Sequence, residues 1–322
     1  MGTFRRLSLL YDFTQNVLYL TSSAAITSHM VLNKLYARKF IDTFNRLYNI
    51  EQILMGEFQT EIPHKKIAYI SIVPISICGF LECSGMIAAT VSFFAVKHYI
   101  LFVASICFIY ASLSLHVVHG QFLNGILIYR SLFSGIRNHL IEFFATLHAE
   151  AKSLQALRNS SKIHQELCEN LRNFNELFSI QLLFSFTFNC CQICLYMFVW
   201  ALSLSSENEK DSLPLMMMLL LCLEIVLKLG ATIINSHLCT NEMSKLMAQL
   251  YKISNSRGIQ VENEINNFAL QLLHEKIEIT AAGFFNIDVK LIFSIIAAVA
   301  THIVILIQFD SEVNIHASLN EM

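Results

Sequence analysis

The chain has 322 residues, of which 55% are hydrophobic and 14% charged, with a mean hydropathy of +0.53 and a formal net charge of −2. Soluble globular domains carry about 25% charged residues, so the composition excludes an ordinary soluble domain, and the near-zero charge removes any bulk electrostatic case for binding nucleic acid. The nine Cys show no disulfide or zinc spacing. Cys78, Cys83, Cys107, Cys190, Cys191, Cys194 and Cys222 fall in apolar runs, where Cys behaves as a small buried hydrophobe, so neither a metal nor a cofactor is expected.

From the start of the chain, Arg5 and Arg6 precede an apolar run that Asp12 cuts too short for a signal peptide. Arg6 also stands where a myristoylation motif needs Ser or Thr. A membrane span needs about 20 mostly apolar residues. Phe13 to Leu32 reads as a first, weaker span because it carries Gln15, Asn16 and His29. A basic segment, Asn33 to Ile67, holds Lys34, Arg38, Lys39, Arg46, Lys65 and Lys66. Ala68 to Ala95 is the second span, with Glu82 deep inside it, and Tyr99 to Val118 is the third. His116 and His119 fall at its end; no further metal ligands lie nearby in sequence, so they read as interfacial histidines.

The segment His119 to Leu177 is again basic, yet it is patterned. Leu132, Phe133, Ile136, Leu140, Ile141, Phe144 and Leu147 follow i, i+3, i+4 spacing. Leu167, Leu171, Phe174 and Phe178 continue the pattern into a fourth span, Phe178 to Ser203. These stripes predict helices that run on beyond the membrane and help hold subunits together; a calmodulin or lipid-surface role is the lesser alternative. Asn159-Ser160-Ser161 matches the glycosylation motif. Tyr196 and Trp200 near the far end of the fourth span fit an interfacial aromatic belt or, alternatively, a ligand pocket.

Leu213 to Asn235 is the fifth span. Glu224 and Lys228 lie i, i+4 within it, close enough to form an intramembrane ion pair. Glu82 reads either as a structural partner for such charges or as a ligand contact. After the basic segment Ser236 to Asn286 comes the last span, Ile287 to Phe309, and then a tail over 310–322 without Lys or Arg. The three basic segments share one side, which the positive-inside rule assigns to the cytoplasm, with the C-terminus outside. Arg5 and Arg6 are exceptions to that bias. The fold class is thus all-α: a polytopic transmembrane helical bundle with six visible spans and long helices extending into the cytoplasm.

Near the C-terminus, Thr301-His302, five hydrophobic residues and Gln308-Phe309 resemble the end of insect gustatory receptors, which close on Thr-Tyr, five hydrophobics and Gln-Phe; His302 is the departure. Ser236 to Leu246 is similar to the family's segment after the sixth helix. The resemblance implies a seven-helix subunit of a plasma-membrane, ligand-gated, non-selective cation channel that detects tastants. It implies a cytoplasmic N-terminus, an extracellular C-terminus, and tetramers, homomeric or with other gustatory receptor subunits, in membrane lipid. On that footing residues 287–309 line the pore, with Thr301, His302, Gln308 and Phe309 as pore residues. Residues 1–286 form the ligand-sensing and anchor region, with Glu82, Tyr196 and Trp200 as ligand-contact candidates, and 310–322 is an extracellular tail. The seventh helix not visible here is, by position, the family's first, which suggests a divergent or truncated N-terminus. Two alternatives stand beside this reading. A G-protein-coupled receptor is opposed by the charge bias and by a last helix without Pro, and a secondary transporter by the lack of internal repeats. No Walker loop, His-Glu-x-x-His or Gly-x-Ser-x-Gly motif supports an enzyme.

Overall fold

In the computed structural model the chain is an antiparallel array of long helices. Residues 2–58, 62–95, 99–146, 150–205, 212–254, 258–275 and 277–319 are described. The helices are α1 (Gly2–Phe58), α2 (His64–Ala95), α3 (Tyr99–Ala145), α4 (Glu150–Ser205), α5 (Ser212–Ser254), α6 (Ile259–His274) and α7 (Val289–Leu319). The first five predicted spans lie inside α1 to α5, and the last begins two residues before α7. Among the described residues, α4, α5 and α7 contain stretches long and apolar enough to cross a membrane. At 1.5 Å per residue the 56 residues of α4 extend about 80 Å, well beyond a bilayer core of about 30 Å. The basic segments are therefore continuous extensions of membrane helices.

Those extensions pack into a core of their own. Leu132, Phe133, Ile136 and Leu140 on α3 meet Leu157, Leu167, Leu171 and Phe174 on α4, and none of them is more than 2% exposed. Phe174 stacks on Phe122 and sits 5.2 Å from Tyr129 and 4.8 Å from Phe178, centroid to centroid. Fully burying each such side chain contributes about 1.5–3 kcal/mol. Most of the stripe expected to join subunits thus packs against its own chain, while Ile141 is exposed and Leu147 lies outside the described residues. Leu140 and Phe144, at 0% and 8% exposure, have no free face to offer a partner. The pattern is helical and apolar because α1, α4 and α5 cover it.

Polar bonds mark the rim of this basic end. Arg137 pairs with Glu242, and Lys245 approaches the same carboxylate at 2.6 Å. Lys39 pairs with Glu176, and Arg158 lies 3.4 Å from Glu264. Asn170 donates to the Thr43 carbonyl at 3.1 Å, fastening α4 to α1. Gly125 is required where α3 crosses α4, because a Cβ there would fall 2.3 Å from the Phe174 ring.

α6 is a short amphipathic helix that buries Val261, Ile265, Phe268, Ala269 and Leu272 on one side. It leads into a two-stranded hairpin, β1 (Thr280–Ala281) and β2 (Phe285–Asn286), which feeds α7. The turn has positive φ at Ala282 (51°) and Gly283 (75°), the sign pattern of a type I′ turn. The hairpin is tied to α4: the Thr280 amide donates to Asn175 Oδ1 at 3.2 Å. Ala281 is fully buried, and the Ile287 amide closes on the Ile279 carbonyl at 2.8 Å.

Candidate functional site

Three apolar helices each carry a polar stripe at helical spacing, and the stripes converge. α3 presents Ser112, His116 and His119; α4 presents Ser185, Asn189 and Gln192; α5 presents Glu224, Lys228 and Thr232. All nine are buried. His119 sits at the centre, with Nε2 2.5 Å from Ser185 Oγ on α4 and Nδ1 3.2 Å from Thr232 Oγ1 on α5. Glu224 Oε1 lies 3.6 Å from Lys228 Nζ and 3.8 Å from His116 Nε2. Asn189 donates to the Ser185 carbonyl at 2.6 Å, while its Oδ1 has no partner among the described residues.

Glu224 and Lys228, expected from their spacing to pair, lie 3.6 Å apart. α3 does not end near residue 118 but runs on to Ala145, and His116 and His119 are buried within the chain, at 4% and 0% exposure. Burying so many polar groups is costly unless they are hydrogen-bonded or bind something. A cavity of about 550 Å³ opens beside His116, lined by Ile72, Gly79, Phe80, Leu113, His116 and Asn124 of α2 and α3. It is an apolar space with a few polar groups at one edge, the usual make-up of a small-molecule site. The Glu82 side chain, on α2 one turn beyond Gly79, lies outside the described residues. Tyr196 continues the α4 stripe at i+4 from Gln192, whose Nε2 donates to its hydroxyl at 3.4 Å; Trp200 follows four residues later, half-buried.

On α7, Thr301 and Gln308 are seven residues apart and share a face, while His302 and Phe309 lie about 100° around the helix. His302 lines a second cavity of about 440 Å³ with Cys190, Cys191 and Cys194 of α4 and Ile295 and Leu306 of α7. Its Nδ1 bonds the Ala298 carbonyl at 2.8 Å. Thr301 and Gln308 are exposed; the Phe309 side chain lies outside the described residues.

At the basic end a third group was not foreseen. His164 and Cys168, i and i+4 on α4, meet Glu275 at the end of α6. Sγ lies 3.4 Å from Nδ1, Glu275 Oε2 lies 3.8 Å from Nδ1, and one donor atom from each residue falls within 4.8 Å of the others. Burial lowers the His164 pKa against the opposing pull of Glu275, and burial raises the Cys168 thiol. Burial also pushes Glu275 up, but His164, Gln271 and Arg172 together outweigh it and hold the carboxyl below its ordinary value. Together the three residues could hold a metal ion. The His-x-x-x-Cys spacing was visible in the sequence, but Glu275 is far away along the chain.

The chain is thus a bundle of long helices with a polar interior between α3 and α5, closed by a last helix carried on a hairpin. The family model of the 7tm chemosensory receptors matches residues 2–313, and the chain belongs to that family. Among curated proteins it is similar to gustatory receptor 28b of Drosophila melanogaster, 29% identical over 163 residues, and to gustatory receptor 2a of the same organism, 49% identical over 51 residues. The first match covers 49% of this chain and 35% of the relative, the second 16% and 12%. The fold matches that of the insect olfactory receptor OR5 from Machilis hrabei, with a TM-score of 0.66 at 15% identity, over 94% of this chain and 81% of that one. The same receptor solved in complex with eugenol aligns with a TM-score of 0.63 at 12% identity, over 96% of this chain and 91% of that one.

Proposed function

We propose that the chain is a gustatory receptor subunit of the insect plasma membrane, a ligand-gated non-selective cation channel in which four subunits place α7 around a shared pore. The observation that carries this reading is α7 itself. Val289–Gln308 has a mean hydropathy of 2.4, yet of that stretch only Leu291, at its foot, is buried within the chain. A helix so apolar and so bare suits lipid on one side and copies of itself on another. Thr301 and Gln308, on one face, are then the pore-facing pair. Gln308 offers a neutral amide able to replace ion-bound water, and Ile305, beneath it on the same face, supplies an apolar constriction that gates by dewetting. His302 belongs to the face turned toward α4. The basic end is cytoplasmic and the tail extracellular.

The ligand site in this reading is the cavity of α2 and α3 beside the buried polar stripes, with His116, Gln121 and Asn124 as the polar contacts. Glu82, Tyr196 and Trp200 are further candidates by position. An apolar cavity with a polar edge suits a small amphiphile, and the fold neighbour was solved with one, eugenol. The test is ligand-evoked current in oocytes, recorded across a tastant panel with G-protein signalling blocked. Current that persists under the block, with Gln308→Glu raising divalent permeation, is the expected result. Responses abolished by the block would return the G-protein-coupled reading, and labelled uptake without channel current would favour a transporter.

A further inference from the structure

We propose that His164, Cys168 and Glu275 form a zinc site that clamps α4 to the end of α6 at the basic end of the bundle. The three donors are the nitrogen, thiolate and carboxylate that zinc accepts. With bonds of about 2.3 Å to sulfur and about 2.0–2.2 Å to nitrogen and oxygen, tetrahedral geometry sets donor–donor separations of roughly 3.4–3.6 Å. The structure holds Sγ 3.4 Å and Oε2 3.8 Å from Nδ1. The donors are gathered rather than fully aimed. Sγ is 3.4 Å from Nδ1 and 3.8 Å from Nε2, so it sits over the imidazole and not in line with either lone pair. Capture needs the ring to turn about its χ2, a broad torsion, between Phe133 and Phe268, whose centroids lie 5.3 and 5.9 Å away.

Charge favours the ion. A divalent cation with one thiolate, one carboxylate and a neutral imidazole sums to zero, which suits a buried place, and the thiol proton leaves to water on binding. Gln271 Nε2 donates to Glu275 Oε2 at 3.2 Å, and the Glu275 amide donates to the Gln271 carbonyl at 2.9 Å, so the carboxylate is oriented from outside the site. The Glu275 side chain is 16% exposed, which provides the way in and leaves the fourth position to water. Glu275 directly precedes the connector to the hairpin and α7, so an ion here joins the middle of α4 to the segment that carries the last helix.

The test uses the full chain purified in detergent, stripped with chelator and titrated with Co²⁺ and then Zn²⁺. The expected result is one equivalent of Co²⁺ with a thiolate-to-cobalt charge-transfer band, displaced by Zn²⁺ and lost in Cys168→Ser. Glu275→Gln keeps the amide contact to Gln271 and should fold, yet bind about tenfold more weakly or worse. Absence of the band, its survival in Cys168→Ser, or unchanged affinity in Glu275→Gln overturns the proposal. If Cys168→Ser fails to fold, the affinity of Glu275→Gln decides alone.

Discussion

Replacing Lys228 by Met leaves Glu224, 3% exposed, without the ammonium 3.6 Å away. At an effective dielectric constant of about 20, two unit charges at that separation attract by about 4–5 kcal/mol. Desolvation of both groups cancels much of that in the intact pair, so the pair itself stabilises little. The single mutant keeps the desolvation of the carboxylate and loses the attraction, so it should be destabilised by about 3–5 kcal/mol. Glu224→Gln should cost a comparable amount by stranding Lys228. The double mutant Glu224→Gln/Lys228→Met removes both charges and should recover most of the loss. The assay is the temperature at which a fluorescent fusion of each variant loses its monodisperse peak on size exclusion, together with surface biotinylation. If either single mutant has wild-type stability, or the double mutant shows the sum of the two losses, Glu224 and Lys228 are not energetically coupled and the reasoning fails.

Gly125→Ala should destabilise by about 1–3 kcal/mol through overpacking, because its Cβ meets Phe174 at 2.3 Å; Phe174→Leu in the same chain should restore the loss, and failure to do so would place the strain elsewhere. His139 stacks on Phe58 at 3.9 Å, and burial lowers its pKa although Glu142 and Glu57 pull the other way. Its unfolded form therefore binds the proton more readily, so stability should be full above the ordinary histidine value and fall as pH drops through that value toward the lowered one; His139→Phe should flatten that fall in a thermal-shift series. An epitope after Met322 should be reached by antibody on intact cells and one inserted near Asn159 should not; staining of the second without permeabilisation would reverse the proposed orientation.

Periodicity made the membrane helices and the apolar stripes of α3 and α4 legible, because burial against any neighbour imposes the same 3.6-residue pattern. For the same reason it could not say which neighbour. The stripe through Leu140 reads identically whether a second subunit or the same chain's α4 covers it. The Glu224–Lys228 pair was legible because it is local. The partners of His119 were not, since Ser185 and Thr232 are 66 and 113 residues away. The α4 series Ser185, Asn189, Gln192 and Tyr196 was there to be read, polar positions at i, i+4, i+7 and i+11 inside an apolar run. The hairpin before α7 left only Ala282 and Gly283 as a trace, too short to register as strands.

That hairpin fixes what α7 is free to do. Its base is pinned to Asn175 and closed by the Ile287–Ile279 bond, while Val289–Gln308 touches the chain along one side only. A helix held at the foot and bare above it is a lever arm. Twenty residues give it a length of about 30 Å, so a tilt of about 5° at the hairpin carries Gln308 sideways by about 2.5 Å, close to the width of a water molecule. In a fourfold ring each arm makes the same excursion, and the opening widens by twice that amount. A displacement of a few tenths of an ångström where α4 grips Thr280 is thus magnified along the arm. Substitutions at Asn175 or Ala282, neither of them on α7, would change how stiffly the arm is sprung.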